Sequence, residues 1–360
     1  MLSQFIGSVL AAYIAFTNTT ADRILAWFAD HTTTITSTET PAPPIRLPSD
    51  YTGPDSIPRV LRDSLQYQQA NIFESSSLEP SYTTDPTAAL VNIYCTYRTE
   101  RALRTTTGTG FFVHPDGVIL TNAHVAQFLL LETVSDTGTT ECILRTGDPA
   151  EPRYRASLLY LPPAWVQENA AAILEDSPLG TGERDYALLY AYASADRTPL
   201  PAQFPALAVD TSLLTRNTLN TTVQAAGYPV PIEGLRTGQF TLSPRHATTT
   251  VSGLYTFGSN YADLMALRGS NLGTYGASGG PVLNTDGVVI GLITTRGDDR
   301  IDGAGSLRAI TLSYIDRTIQ EETGFSFARN TAGNIPYRAR IFTDTLQPFL
   351  TRILERQLRN

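Results

Sequence analysis

From about residue 88 onward the sequence is a succession of short apolar or alternating runs, each ended by Gly, Pro, Asp or Asn. The clearest runs are residues 89–97, 110–114, 118–121, 142–145, 154–161, 186–190, 222–228, 280–283 and 288–294. Many short strands separated by turn signals are typical of an all-β barrel or sandwich. The pair Asp116-Gly117, which lies between two of these runs, predicts a tight hairpin.

The chain before this region divides into three parts. Residues 1–31 begin with an uncharged segment whose most apolar part is 5–16. This apolar part is short for a spanning helix, which needs about 20 apolar residues. The segment also lacks the basic residues with which a signal peptide begins. The segment therefore fits a membrane or export segment, and equally a helix packed on the body of the protein. Residues 32–58 are rich in Thr, Ser and Pro and predict an extended linker, which favours a location outside the cytoplasm. Residues 59–87 predict one helix, over 59–72, and a connection.

The body of the chain is expected to cover residues 88–320, with a helical insertion at 163–174. Residues 321–360 form a C-terminal extension that predicts a helix from about Asp344. The apolar residues on one side of that helix are Leu346, Leu350, Ile353, Leu354 and Leu358. We expect this side to pack on the barrels, although it could also bind a partner.

Composition excludes several functions. The net charge is −8 and the sequence pI is about 5.1, which argues against nucleic acid as a partner because phosphate binding needs a basic face. All 26 basic residues are Arg, so Schiff-base chemistry and a Ser-Lys dyad are excluded. The two cysteines, Cys95 and Cys142, are too few for a cysteine-based zinc site. We therefore predict no metal and no cofactor.

A candidate nucleophile, Ser278, lies in Gly276-Ala277-Ser278-Gly279-Gly280-Pro281, directly before an apolar run. A Ser flanked by glycines on a tight turn exposes its hydroxyl, and the backbone N–H groups can converge on an oxyanion. The pattern also matches the G-x-S-x-G elbow of α/β-hydrolases, which places the His after the Ser. All 4 histidines of this chain precede Ser278, so that interpretation fails.

A candidate base and a candidate carboxylate precede this serine. His124 follows an apolar run in Thr121-Asn122-Ala123-His124-Val125, and Asp185 opens the run Asp185-Tyr186-Ala187-Leu188-Leu189. Each signal alone is more often structural than catalytic. Together they give the chain order His, Asp, Ser, which belongs to the chymotrypsin arrangement.

With these three motifs the chain resembles a trypsin-like serine protease. It is similar to the bacterial HtrA/Deg proteases, which carry similar TNxHV, DxALL and GxSGGPL stretches, and the resemblance covers about residues 88–320. It implies two six-stranded antiparallel Greek-key barrels, over about 88–195 and 205–320, with the active site between them. The implied activity is that of a serine endopeptidase acting on polypeptides.

The resemblance also implies a role for each residue of the motifs. His124 would be the general base, Asp185 would orient it, and Ser278 would attack the carbonyl carbon. The backbone N–H groups of Gly276 and Ser278 would form the oxyanion hole. Thr294 would support the Asp185 carboxylate, and Thr294, Thr295 and Arg296 would pair with the substrate as an added strand.

Two positions depart from the better-known family members. Ala277 replaces the Asp of digestive proteases, so activation by a freed N-terminus that pairs with that Asp is not expected. Leu272, six residues before the nucleophile, stands where trypsin-like specificity needs an Asp at the pocket floor. An apolar floor disfavours a cationic side chain there, so we predict a small or medium apolar residue at the cleavage site.

Two further expectations come from the family. HtrA enzymes usually carry a PDZ domain, and the chain after residue 320 is too short for one, so regulation by such a domain is not carried over. In the family barrel the first and fourth strands are neighbours, which brings Cys95 and Cys142 together and predicts a disulfide if the protein is exported.

Other functions are compatible with parts of the sequence. A protease-like module that binds peptides without cleaving them would keep the fold and lose the chemistry. An esterase could use the same acyl transfer, and a surface stalk protein would explain only the Thr/Pro-rich linker. The complete set of His124, Asp185 and Ser278 favours an active protease.

Overall fold

The computed structural model describes residues 60–70, 79–99, 103–132, 138–174, 181–230, 241–273 and 275–359. As predicted, these residues form two closed six-stranded antiparallel barrels, with helices at the C-terminus. The segment 1–31 and the linker 32–58 lie outside the described residues. Within the described ranges, every helix is too short or too polar to cross a membrane.

The first barrel is built from the six strands that precede residue 195. They are β1 Leu90–Arg98, β2 Leu103–His114, β3 Val118–Thr121, β4 Thr139–Thr146, β5 Glu151–Tyr160 and β6 Ala187–Ser194. The barrel closes because β1 pairs with both β2 and β4. The predicted hairpin joins β2 to β3, and Gly117 adopts a φ of 89° there and donates its N–H to the His114 carbonyl at 3.1 Å.

The second barrel contains three strands that the sequence did not predict. Its strands are β7 Thr222–Gly227, β8 Arg245–Tyr255, β9 Leu264–Leu267, β10 Pro281–Leu283, β11 Val289–Arg296 and β12 Leu307–Thr311. Strand β8 turns Thr249 and Val251 inward. Because threonines fill several positions on both faces of β8, its sequence lacks the apolar period that predicts a strand. Strands β9 and β12 were also missed.

Short elements complete the barrels. Two-residue strands, Tyr82–Thr83 and Ala206–Leu207, pair in parallel. The short α-helices are Pro86–Ala89, Ala123–Ala126 and Asp299–Asp302, and 3-10 helices cover Gln127–Leu131 and Arg216–Thr218. The predicted insertion at 163–174 is helical, as an α-helix over Pro163–Asn169 and a 3-10 helix over Ala170–Leu174.

Cys95 and Cys142 lie opposite each other on β1 and β4, the first and fourth strands. Their sulfur atoms are 2.06 Å apart and form a disulfide. The neighbouring strands expected from the family are therefore present in this barrel.

Removing this disulfide is expected to destabilise the fold. The cysteines are separated by 47 positions, and by the loop-entropy model closing a loop of that length stabilises a fold by up to about 4 kcal/mol. Urea unfolding of the Cys95→Ala/Cys142→Ala protein measures the loss. Wild type in reductant is the matched control because it keeps the packing, and its stability should fall toward that of the variant. Equal stability of oxidised and reduced wild type would contradict the prediction.

The helix predicted over 59–72 is two helices. They cover Val60–Asp63 and Leu65–Ala70, with residues 71 and 72 outside the described part. The break falls at Ser64, whose Oγ accepts a hydrogen bond from the Tyr67 N–H at 3.4 Å. A serine hydroxyl that satisfies the first N–H groups of a helix favours a new start at that point.

The C-terminal extension contains more helix than predicted. Four helices cover Leu312–Thr323, Phe327–Asn330, Ile335–Thr345 and Gln347–Arg359, so the expected boundary at residue 320 falls inside the first of them. The last helix packs on the first barrel, as expected: Leu346, Leu350 and Leu354 are buried, and the Thr351 hydroxyl donates to the Leu130 carbonyl at 2.9 Å.

Arg338 fastens the N-terminal helices to this C-terminal layer. The side chain is fully buried. Its guanidinium donates to the carbonyls of Arg329, Asn330 and Ala332, to the Asn330 side chain, and to the Tyr67 hydroxyl at 3.0 Å. Within the described residues it forms no ion pair, and carbonyl and hydroxyl dipoles, together with the Tyr67 ring 5.2 Å from the guanidinium carbon, compensate the buried charge.

Candidate functional site

The pairing of two strands brings His124 and Asp185 together. His124 lies in the short helix after β3, and Asp185 lies just before β6. Because β3 and β6 are paired with Thr121 opposite Ala187, the two residues face each other. The His124 Nδ1 atom lies 2.8 Å from Asp185 Oδ2, and the His124 backbone N–H donates to Oδ1 at 3.0 Å.

Both barrels hold the Asp185 carboxylate. The residue is 4% exposed. The Thr294 hydroxyl, from β11 of the second barrel, donates to Oδ2 at 2.6 Å, and the Asn122 side chain donates to the Asp185 backbone carbonyl at 2.8 Å. Burial acts to raise the pKa of Asp185, but the His124 ring and the hydrogen bonds from His124 and Thr294 outweigh it, so the pKa lies below its ordinary value. The group is a carboxylate at neutral pH.

Ser278 lies in the turn that enters β10. Its Oγ donates to the Thr294 backbone carbonyl at 3.3 Å, and no hydrogen bond joins it to the His124 ring in the described part of the chain. Thr294 thus contacts both the serine and the carboxylate, which brings the three predicted residues into one neighbourhood between the barrels. Nucleophile-to-base hydrogen bonds are often long or absent without substrate and form on binding.

Hydrogen-bonded carbonyls fix the orientation of the turn before Ser278. The Tyr275 carbonyl accepts from the Val230 N–H at 2.7 Å, and the Ala277 carbonyl accepts from the Gly280 N–H at 3.0 Å. In a trans peptide the N–H points away from the carbonyl of the same unit. The N–H groups of Gly276 and Ser278 therefore point away from these partners, and neither donates to any described residue. Two such donors can hold an oxyanion.

Thr109 on β2 docks this turn onto the first barrel. Its N–H donates to the Ser278 carbonyl at 2.8 Å, and its hydroxyl donates to the Gly276 carbonyl at 2.6 Å. The same hydroxyl accepts from the Tyr228 N–H at 2.9 Å. The residue is fully buried, so one side chain on one barrel satisfies two backbone groups on the other.

Replacing Thr109 with valine is expected to lower both stability and turnover. Valine keeps the shape but leaves the Gly276 carbonyl and the Tyr228 N–H buried without a partner, which costs about 2 kcal/mol of unfolding free energy. We expect the rate of peptide cleavage to fall roughly tenfold, because the turn loses its anchor.

Thr105→Val is the matched control for this change. Thr105 lies on the same strand and is exposed, so its substitution should leave chemical unfolding and cleavage rates close to wild type. Equal effects of the two substitutions would mean that Thr109 has no special role.

The predicted substrate-binding residues occupy two different environments. Leu272 is fully buried in the core of the second barrel, so its side chain does not line an open cleft. Thr295 and Arg296 lie at the end of β11 and pair with β12 on one side. On the other side the pairing with β10 ends at Leu292, and both backbone groups of Ile293 bond to the turn before β10. From Thr294 onward no described strand pairs with this edge.

Residues that shape the site without carrying chemistry were missed from the sequence. Asn122 stood within the quoted motif around His124, and Thr109 directly preceded the apolar run 110–114, but nothing in their pattern assigned them a role. The glycines on either side of Thr109 were the available signal, because paired glycines indicate close packing of the backbone. In the structure a Cβ on Gly108 would lie 2.5 Å from Val125 Cγ2, and one on Gly110 would lie 2.9 Å from Ile119 Cγ2. Val230 gave no signal, because only its backbone N–H is used.

Comparison with known proteins identifies one domain. A family model described as a trypsin-like peptidase domain matches residues 108–292, a stretch that contains His124, Asp185 and Ser278. A search of curated proteins found no match to the sequence.

Proposed function

The chain belongs to the trypsin-like peptidase family, and on that premise we propose that it is a serine endopeptidase that uses His124, Asp185 and Ser278. The single observation that carries the proposal is the pair of hydrogen bonds made by Thr294. Its hydroxyl donates to the Asp185 carboxylate, and its backbone carbonyl accepts from the Ser278 hydroxyl. We propose that the Ser278 side chain moves toward the His124 ring when substrate binds.

The proposed reaction proceeds in two halves. His124 removes the hydroxyl proton as Ser278 Oγ bonds to the peptide carbonyl carbon, and the N–H groups of Gly276 and Ser278 stabilise the oxyanion. The proton then passes to the leaving amine as the C–N bond breaks. Water hydrolyses the acyl-enzyme by the same path, with His124 again as the base. The ionised Asp185 stabilises the positive charge on the imidazole throughout.

The substrate is proposed to bind as an extended strand along the open edge of Thr294–Arg296. Backbone hydrogen bonds at a strand edge do not depend on the side chains of the substrate, so pockets must set the preference. Beside the buried Leu272, a Cβ on Gly273 would lie 2.3 Å from Gly305 Cα. Because these backbone segments leave so little space between them, we propose a shallow pocket that accepts a small apolar residue.

The second candidate is a protease-like module that binds peptides without cleaving them. One observation favours it: the Ser278 hydroxyl hydrogen bonds to the Thr294 carbonyl at 3.3 Å rather than to His124. A module that never cleaves would keep this arrangement when a peptide binds.

Labelling with a fluorophosphonate probe separates the two candidates. The protease should be labelled on Ser278 and should cleave a proteome-derived peptide library, with small apolar residues before the cut. The Ser278→Ala protein should do neither, while binding the same peptides. Absence of both labelling and cleavage in folded wild type would overturn the proposal.

Finer assignments rest on sequence similarity. Among trypsin-like peptidases, the TNxHV and DxALL stretches around His124 and Asp185 favour a relationship to the HtrA/Deg proteases. The Thr/Pro-rich linker and the disulfide between Cys95 and Cys142 favour a location outside the cytoplasm, since disulfides persist in oxidising compartments. We also propose that residues 1–31, with their apolar part at 5–16, associate with a membrane.

A further inference from the structure

The helix that follows β12, Leu312–Thr323, holds the chain on both sides of the candidate carboxylate. Immediately before the carboxylate, the Arg184 N–H donates to the Tyr314 hydroxyl at 3.1 Å. Immediately after it, the Tyr186 and Thr318 hydroxyls are hydrogen bonded at 2.8 Å. Since residues four apart lie on the same face of a helix, one face makes both contacts.

Glu322 extends this face by one more turn. It is 4% exposed, and its two carboxylate oxygens are used separately: Oε1 pairs with the Arg184 guanidinium, and Oε2 accepts from the Tyr160 hydroxyl. Burial raises the pKa of Glu322, although Tyr160 and Arg184 act in the opposite direction. The proposed reaction gives this buried carboxylate no role, so its place in the fold needs another explanation.

Arg184 supplies that explanation, because it adopts a strained backbone conformation. Its φ is 54°, a left-handed value that costs free energy for any residue with a Cβ. Such residues persist where surrounding contacts hold them, and they cluster at functional sites. The helix supplies two of these contacts, the Tyr314 hydroxyl on the backbone N–H and Glu322 on the side chain. The Arg184 carbonyl also accepts from the N–H of Tyr186 at 2.9 Å, and the residue between them is Asp185.

The Asp185 geometry depends on this conformation. The carboxylate meets both the backbone N–H and the ring of His124, at 3.0 and 2.8 Å. A rotation about the preceding residue would carry the carboxylate away from these two donors. Misplacement of a reacting group by about 1 Å can lower a rate on the order of 10²-fold.

We infer that Glu322 is a positioning residue for Asp185, acting by holding Arg184 in its left-handed conformation. The inference rests on the proposed peptidase function. It makes the helix Leu312–Thr323 part of the support of the site, at a residue outside the matched family domain.

The full-length Glu322→Gln protein tests the inference. The amide keeps the shape and can still accept from Tyr160, but it no longer pairs with the guanidinium. We expect kcat to fall between roughly tenfold and 10²-fold, with KM within about twofold of wild type, because the substrate strand is untouched. Glu321→Gln is the matched control: Glu321 is 67% exposed and lies 3.9 Å from the same guanidinium, so its loss should leave kcat unchanged.

Rescue distinguishes positioning from general destabilisation. Glycine adopts left-handed φ values readily, so Arg184→Gly combined with Glu322→Gln should recover most of the lost kcat. If Glu322→Gln does not fold, Tyr314→Phe tests the other contact, since it removes only the acceptor for the Arg184 N–H and should lower kcat with KM retained. Unchanged kcat in both Glu322→Gln and Tyr314→Phe would overturn the inference.

A readout without turnover separates this inference from the proposed function. The Nδ1 proton that His124 shares with a carboxylate should give a strongly downfield ¹H NMR resonance, which His124→Ala assigns. Glu322→Gln should shift or abolish that resonance, and Glu321→Gln should not. An inactive wild type that shows this pattern would overturn the peptidase proposal and support the positioning role. A resonance unaffected by Glu322→Gln would overturn the positioning role, even if the enzyme is active.

Discussion

The Asp185→Asn protein is expected to cleave a peptide substrate about 10⁴-fold more slowly than wild type, while remaining folded. Asparagine keeps the shape of the side chain but not its charge. In wild type, one carboxylate oxygen accepts from His124 Nδ1 at 2.8 Å. In the variant, either an uncharged amide oxygen or an NH2 group takes its place. His124 would then lose the partner that fixes its tautomer and stabilises its protonated form. Steady-state kinetics on one fluorogenic peptide measures the loss.

Thr294→Val is the comparison that isolates the charge. It removes the hydrogen bond to Asp185 Oδ2 at 2.6 Å and leaves the carboxylate in place, so its effect on kcat should be far smaller. Cleavage by Asp185→Asn within about tenfold of wild type would mean that the His124–Asp185 pair does not serve catalysis.

Asp185→Asn also tests how the stability of the fold depends on pH. The pKa of Asp185 is below its ordinary value, so ionisation of this group stabilises the folded state. That stabilisation is fully present above the unfolded-state pKa of about 3.9 and is lost as the pH falls through the lower folded-state value. Urea unfolding should therefore show that the difference in stability between wild type and Asp185→Asn shrinks as the pH falls below about 4.

Gly279→Ala is expected to cause the largest combined loss of stability and activity among single substitutions near the site. A Cβ at this position would lie 1.9 Å from the Thr109 carbonyl oxygen and 2.6 Å from Thr121 Oγ1, and the φ of 86° is unfavourable for alanine. Because the nearest atom belongs to the backbone, the turn and the first barrel must separate. We expect the unfolding free energy to fall by roughly 3 kcal/mol and kcat by about 10²-fold.

Gly258→Ala separates the clash from the backbone strain. Gly258 has a similarly unfavourable φ of 101°, but a Cβ there would meet nothing within 4 Å. Its substitution should cost about 1 kcal/mol of unfolding free energy and leave kcat unchanged. If the two glycine variants behave alike, close docking of the barrels at the turn does not limit activity.

The all-β class could be predicted from the sequence because several strands are strongly apolar and separated by turns, whereas the arrangement in two barrels was implied by the resemblance that the three motifs carry. The proximity of His124 and Asp185 was implied by the same resemblance, and the structure gives its physical basis, since each residue lies beside a strand and those strands are paired. Strand β8 was missed because it turns threonine toward the core. In such a strand the buried face is defined by its neighbours in the barrel and leaves no period in the sequence.

The supporting residues could not be predicted because their partners are distant in the chain. Arg338 contacts Tyr67, and Glu322 contacts Tyr160. No short sequence pattern indicates either contact. A buried arginine that binds carbonyls looks, in sequence, like an exposed one. The role of Thr109 likewise exists only once the second barrel has docked.

The hydrogen bond from the Val230 N–H to the Tyr275 carbonyl, at 2.7 Å, has a kinetic consequence. This hydrogen bond already orients the peptide unit before Gly276 as the proposed oxyanion site requires, so we expect that no rotation of this peptide unit must follow folding. When the denatured protein is diluted out of urea, hydrolysis should commence with the same time constant as the recovery of tertiary structure, and progress curves should show no induction period.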